Sequence, residues 1–200
     1  MGVLTSIVNR SIAGSFSSDM FFNIRDGAFR YCSSLTSVSF PNATSIGGRA
    51  FNNCTGLTSV SIPNATSIGT QAFYNCSSLT SVSIPGATSI GDFAFHNCRK
   101  LTSVSIPGAT SIGQYAFYDC RSLTSASFPE VTSIDVYAFN SCSALTTLYI
   151  GTESNTVCTL SSKNAIPSSV TDIYVPASLV DSYKSATNWS TFARKIKATP

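Results

Sequence analysis

Apolar and polar positions along most of this chain follow one phrase that returns every 22 residues. It is clearest from Ala72 to Cys98, AFYNCSSLTSVSIPGATSIGDFAFHNC, a stretch that begins and ends on the same words. Phe29, Phe51, Phe73, Phe95, Phe117 and Phe139 keep the step, as do Cys32, Cys54, Cys76, Cys98, Cys120 and Cys142. Leu35, Leu57, Leu79, Leu101, Leu123 and Leu145 follow. A period of this size marks a repeat solenoid, in which each unit is one coil and buries its apolar side only against neighbouring coils.

Within a unit, Ser81-Val82-Ser83-Ile84 alternates with period two. It predicts a strand with Val82 and Ile84 pointing inward and the serines outward. Pro85 ends that strand because it offers no amide to a continuing ladder. Ala87 and Ile90 predict a second short inward-facing segment, and Gly91 a turn. The segment from Asp92 to Cys98 reads as a helical turn with Phe95 and Cys98 on one side. Equivalent strands of stacked coils lie about 4.8 Å apart, so roughly six coils make a rod of about 30 Å.

The repeat phase sets the boundaries. Ile24 stands 22 residues before Ile46, which makes residues 1–22 an N-terminal cap. There Leu4, Ile7, Val8 and Ile12 are expected to cover the open end of the first coil. The array itself occupies residues 23–150. Residues 151–200 lose the phase and form a small α+β C-terminal cap. In it, Ile173-Tyr174-Val175 reads as a strand ended by Pro176, and Ala177 to Ala186 as a helix with Leu179, Val180 and Tyr183 on one face. Trp189, Phe192 and Ile196 have helix-like spacing and are expected to seal the last coil.

Charge narrows the function classes. Only 10% of the residues are charged, and the net charge of +3 sits in the C-terminal forty residues, around Lys163, Lys184, Arg194, Lys195 and Lys197. Three surplus charges in a tail do not make a phosphate-tracking surface, so nucleic acid is not an expected partner. No apolar run approaches the roughly 20 residues of a membrane span, so no membrane insertion is expected. The opening MGVLTSIVNRSIAGSF lacks a charged segment followed by an unbroken apolar one and does not read as a signal peptide.

Candidate chemistry is sparse. Thiols set one per coil diverge along a rod, whereas zinc ligands must converge, so no metal site is expected. Parallel side chains in neighbouring coils would keep Cβ atoms about 5 Å apart, too far for an unstrained disulfide. Buried, reduced thiols are the better reading, with Cys158 outside the ladder. His96 is the single histidine, at a position filled elsewhere by Arg30, Asn52, Tyr74, Tyr118 and Asn140, variation that suggests solvent exposure. The acids are scattered, so neither catalysis nor a cofactor is expected. The outward serine columns, Ser37/Ser39 to Ser103/Ser105, suit solvation or a repetitive ligand such as a glycan. N-x-[ST] triplets such as Asn64-Ala65-Thr66 recur with the repeat and carry little information.

The better candidate is a pair of variable columns around each Ala-Phe. Before it stand Gly27, Arg49, Gln71, Phe93, Tyr115 and Tyr137, and after it the column that contains His96. If both face solvent, Phe93, Tyr115, Tyr137, Tyr74 and Tyr118, with His96 among them, form an aromatic strip, and contiguous exposed aromatics mark contact surfaces. The alternative is that these rings shelter the repeat turns.

The unit A-F-x-x-C-x-x-L-T-S-V-S-I-P followed by A-T-S-I-G resembles the BspA-like, or Treponema pallidum-type, leucine-rich repeat over about 120 residues. The tail IYVPASLVDSYKSATNW is similar to the C-terminal cap of such arrays. The resemblance implies a right-handed leucine-rich-repeat coil and a noncatalytic recognition or adhesion role. A host or cell-surface protein or glycan would be the partner, and the cell surface or extracellular space the location. A phage or prophage tail component is the alternative. The shared motif positions are core, so the resemblance assigns no binding residues.

Overall fold

The computed structural model describes residues 2–4 and 12–200. Its strands join each coil to the next in parallel. Every central coil contributes a long strand and a short one. Ser59–Ser61, Ser81–Ser83 and Ser103–Ser105 exemplify the first; Ser67–Ile68, Ser89–Ile90 and Ser111–Ile112 the second. The register places repeat-equivalent residues opposite one another, Val60 on Val82 and Ile68 on Ile90. Short strands form one continuous eight-stranded sheet. The long strands form sheets of four and five, parted between Ser81–Ser83 and Ser103–Ser105. At that break Val82 is only partly buried, whereas Val60 and Val104 are core.

The alternation behaves as its period requires, with valines and isoleucines buried and serines outward. The Ala-Phe-x-x-Cys segment departs from the expected helical turn. Two residues in each copy hold left-handed backbone, Phe93 and Asn97 in the central coil, with φ of 56° and 61°. Each interrupts helical hydrogen bonding and aims amides along the solenoid axis. Phe95 N–H thus donates to Ala116 O at 2.7 Å and Asn97 N–H to Tyr118 O at 2.9 Å, both in the next coil. The third side of the solenoid is therefore also hydrogen-bonded coil to coil.

Inside, the six repeat phenylalanines form one stack, with centroids 5.0–5.2 Å apart and planes within 1–10° of parallel. Burying each ring contributes about 1.5–3 kcal/mol. The recurring thiols and hydroxyls satisfy carbonyls that the sheets leave over. Cys54, Cys76, Cys98, Cys120 and Cys142 donate Sγ–H to the phenylalanine carbonyl of the preceding coil at 3.0–3.3 Å. Thr58 and Thr80 donate Oγ1–H to Thr36 O and Thr58 O, and Thr66 and Thr88 to Thr44 O and Thr66 O. Gly91 has a different role from a flexible turn. Its φ is not left-handed, but a Cβ there would meet Thr70 N at 2.8 Å, so glycine permits the close approach of coils.

All seven cysteines are buried. Burial pushes the Cys54 and Cys158 thiols up to about 12 and raises those of Cys76 and Cys98. Native protein is therefore expected to react with almost none of its thiols in a DTNB assay at pH 8, and with all seven in guanidinium. Rapid native reaction of several thiols would contradict this packing.

The ladder passes through the point where the sequence phase fails. Thr159 and Leu160 pair with Ser133 and Ile134, and Asp172 with Thr147. These steps of 26 and 25 residues show insertions between coils, so the coil geometry continues where the repeat spelling does not. Asp172–Val175 is a strand, as expected, followed by a short turn and the helix α1, Val180–Ser185. Ile196 lies in a final strand, Ile196–Ala198, paired with Ile173; helical structure ends at Lys195. Trp189 and Tyr183 are fully buried and meet edge to face at 5.2 Å. Trp189 Nε1–H donates to Cys158 O at 2.6 Å, while Cys158 N–H donates to Tyr183 Oη at 2.9 Å. At the other end, Phe21–Ile24 pairs with Gly2–Leu4, and Ile12 packs on the core. Ile7, Val8 and the Leu4 side chain lie outside the described residues.

Candidate functional site

The two left-handed positions of each coil organise the turn side. The second is filled by Tyr31, Asn53, Asn75, Asn97, Asp119 and Ser141, mostly the short amides and acids that tolerate this backbone. The first is filled by Gly27, Arg49, Gln71, Phe93, Tyr115 and Tyr137. Glycine suits it, yet three consecutive coils carry bulky aromatics there, at φ of 54–58°. Backbone in this region costs a non-glycine residue about 1–2 kcal/mol.

Those rings stack along the axis. Phe93 and Tyr115 lie 4.9 Å apart at 5°, and Tyr115 and Tyr137 4.9 Å apart at 19°. A second stack runs beside it, Tyr74 to His96 at 4.7 Å and His96 to Tyr118 at 5.0 Å. Tilted contacts join the two, Phe93 to His96 at 5.7 Å and Tyr115 to Tyr118 at 5.5 Å. All six side chains proposed from the sequence thus meet in one double ladder, and each is partly exposed. Its ring faces are largely used by neighbouring rings, which leaves edges and phenol hydroxyls toward solvent.

His96 differs from the solvent-facing residue expected. It is sandwiched between Tyr74 and Tyr118, and its Nδ1 is buried without a hydrogen-bond partner. Burial lowers its pKa, Asp119 opposes that shift and Arg99 adds to it, which favours the neutral imidazole. Asp119 is itself buried, and the sequence pattern gave no reason to single it out. Its Oδ2 accepts from Arg99 Nε at 2.9 Å and its Oδ1 from Arg121 Nε. Burial alone would raise its pKa, but the two guanidiniums outweigh that and hold the carboxyl below its usual range. With both oxygens engaged by arginine, Asp119 is poorly placed to serve His96 as a catalytic partner. The group instead anchors two exposed arginines beside the ladder.

Asn52, from the same column as His96, is buried, so that column is not uniformly a surface one. Tyr149 and Tyr174, on the long-strand side, were also not apparent from the repeat because they replace its serines. Among the described residues, no group of three His, Cys, Asp or Glu side chains is placed to hold a metal, and no helix is long and apolar enough to cross a membrane.

The BspA type leucine rich repeat region profile matches six copies across residues 22–146 and 66–191. The chain belongs to this family. Solved structures of leucine-rich repeat proteins share its fold. The Treponema pallidum leucine-rich repeat protein is 23% identical with a TM-score of 0.68, covering 98% of this chain and 90% of its own. A leucine-rich cell surface protein from Faecalibacterium prausnitzii is 31% identical with a TM-score of 0.55, over 72% of this chain and 48% of that one. A leucine-rich repeat protein from Bacteroides ovatus is 21% identical with a TM-score of 0.61, over 97% and 47%. The chain thus spans about half the length of the F. prausnitzii and B. ovatus proteins. No curated protein matches it.

Proposed function

We propose that this chain is a noncatalytic recognition module of a bacterial surface protein, and that its double aromatic ladder binds a protein partner. One observation carries the reading: Phe93, Tyr115 and Tyr137 occupy left-handed backbone that glycine or asparagine would hold at lower cost. Strained residues persist where something else favours them, and function is one such cause. Ring stacking offsets part of the strain, but it does not explain why the rings sit in a partly exposed column.

Edges and phenol tips favour a protein over a glycan here. A sugar ring packs against an open aromatic face, and most faces in this ladder are occupied. Tyrosine and arginine are the residues that dominate protein interfaces, and Arg99 and Arg121 flank the tyrosines. The surface location follows the F. prausnitzii relative, described as a cell surface protein. Neither the fold nor these relatives favours the phage-tail alternative.

The test is a binding panel of immobilised extracellular-matrix and cell-surface proteins, with neutral glycans beside them. Native protein is compared with a Phe93→Asn/Tyr115→Asn/Tyr137→Asn variant. Asparagine suits the left-handed backbone, so the variant is expected to stay folded. Native protein should bind a protein target, and the variant should lose about 2 kcal/mol or more, roughly thirtyfold in Kd. Equal binding by both would refute the ladder as the contact surface.

A further inference from the structure

The long-strand side carries a second feature, distinct from the ladder. Its outward column reads Ser105, Ser127, Tyr149, Tyr174 and Lys197 in successive coils. Leu148, Ile150, Ile173 and Val175 fill the inward positions, which turns both tyrosines outward. Their rings stack at 5.0 Å and 17°. That separation nearly equals the coil spacing of about 4.8 Å, so the ring normals run close to the solenoid axis. Tyr174 therefore covers one face of Tyr149, and the other face looks along the axis toward Ser127. The column drops there from a phenol to a hydroxymethyl group within one coil.

This step separates Tyr149 from the outer rings of the turn-side ladder. There Phe93 is followed by Gln71, Tyr74 by Asn52 and Tyr118 by Asn140, side chains long enough to border a ring face. The floor beside Tyr149 is Ser103-Val104-Ser105 and Ser125-Ala126-Ser127, with no ionisable side chain. Among the described residues, those serine hydroxyls have no hydrogen-bond partner within the protein, whereas the neighbouring threonines are committed to carbonyls. Of the charged pair of the region, Lys197 lies on the far side of Tyr174, while Asp172 shares Tyr174's strand beside Thr147; each neutralises the other. An open aromatic face above uncharged hydroxyls is complementary to a sugar ring. Axial C–H groups pack on the ring, and sugar hydroxyls exchange hydrogen bonds with the serines.

We infer that Tyr149, backed by Tyr174 and floored by Ser125 and Ser127, is a subsite for one ring of a neutral hexose oligosaccharide, stacked with its mean plane across the solenoid axis. The site is independent of the turn-side ladder, so either reading can fail without the other.

The experiment is isothermal titration with cellohexaose, mannohexaose and chitohexaose as separate probes. The native protein, Tyr149→Phe, Tyr149→Ser and the turn-side asparagine variant are compared. Serine at 149 continues the column of Ser105 and Ser127, and unchanged thermal unfolding would confirm that it folds. At least one hexaose should bind the native protein, with Tyr149→Phe within about threefold of it and Tyr149→Ser weakened about tenfold or more. The turn-side variant should bind as the native protein does. Failure of every hexaose to bind, or equal binding by Tyr149→Ser, would overturn the proposal. So would a Tyr149-dependent protein target with no saccharide binding.

Discussion

Phe95→Ala is expected to lower the free energy of unfolding by about 3–5 kcal/mol. The ring is fully buried and stacked on Phe73 and Phe117, with centroids at 5.1 Å on each side. Truncation removes its burial and leaves a void bounded by two flat rings held by their own coils, so collapse into it is limited. The position in the array adds a second consequence. In a solenoid each coil is stabilised by nearest-neighbour interfaces, and this change weakens two of them at the centre. Urea unfolding followed by circular dichroism should show a lower midpoint and a broader transition than native protein. A loss below about 1 kcal/mol would mean that the phenylalanine stack does not hold the coils together.

Trp189→Ala should be nearly as costly, about 3–5 kcal/mol for a fully buried ring, but its effect should be confined to one end. The indole packs on Tyr183 and Phe192 and donates to Cys158 O at 2.6 Å. Its removal opens the seal over the last coils and leaves a buried carbonyl without that donor. Amide exchange should rise from Thr159 through Ala198 and stay unchanged between Phe51 and Phe95. Trp189→Phe keeps much of the volume and should cost less, on the order of 1–3 kcal/mol for the unpaired carbonyl. Uniform loss of protection along the chain would contradict a local cap.

The central coils were legible because every structural demand repeats. An alternating S-V-S-I can place its apolar residues inward in only one way when each coil stacks on an identical one, and Val60 over Val82 is the result. The roles of cysteine and threonine were only half legible. Period showed that they recur, but the carbonyls that they satisfy, such as Phe73 O for Cys98, belong to another coil and have no sequence signature. The turn from Asp92 to Cys98 reads as helical in the sequence because Phe95 and Cys98 share a helix-like spacing. The left-handed φ of Phe93 has no residue-type signal, although Asn97 gives one for the second position. The last coils were hidden by insertions, since pairing of Ser133 with Thr159 needs 26 residues instead of 22.

The candidate site followed the same division. Stacking of Phe93, Tyr115 and Tyr137 was visible as a column, because in-register repeats bring equal positions together. The burial of His96 Nδ1 and the arginine-held Asp119 were not, because both depend on contacts between different columns. Tyr149 is not legible for a simpler reason. It breaks the serine column at the point where the repeat itself fades.

The most direct test of the recognition surface is amide hydrogen exchange of the native protein, alone and saturated with its strongest protein binder from the panel. Protection should concentrate in residues 70–75, 92–97, 114–119 and 136–141, which carry the ladder. Protection confined to the long strands, with those turn segments unchanged, would contradict it.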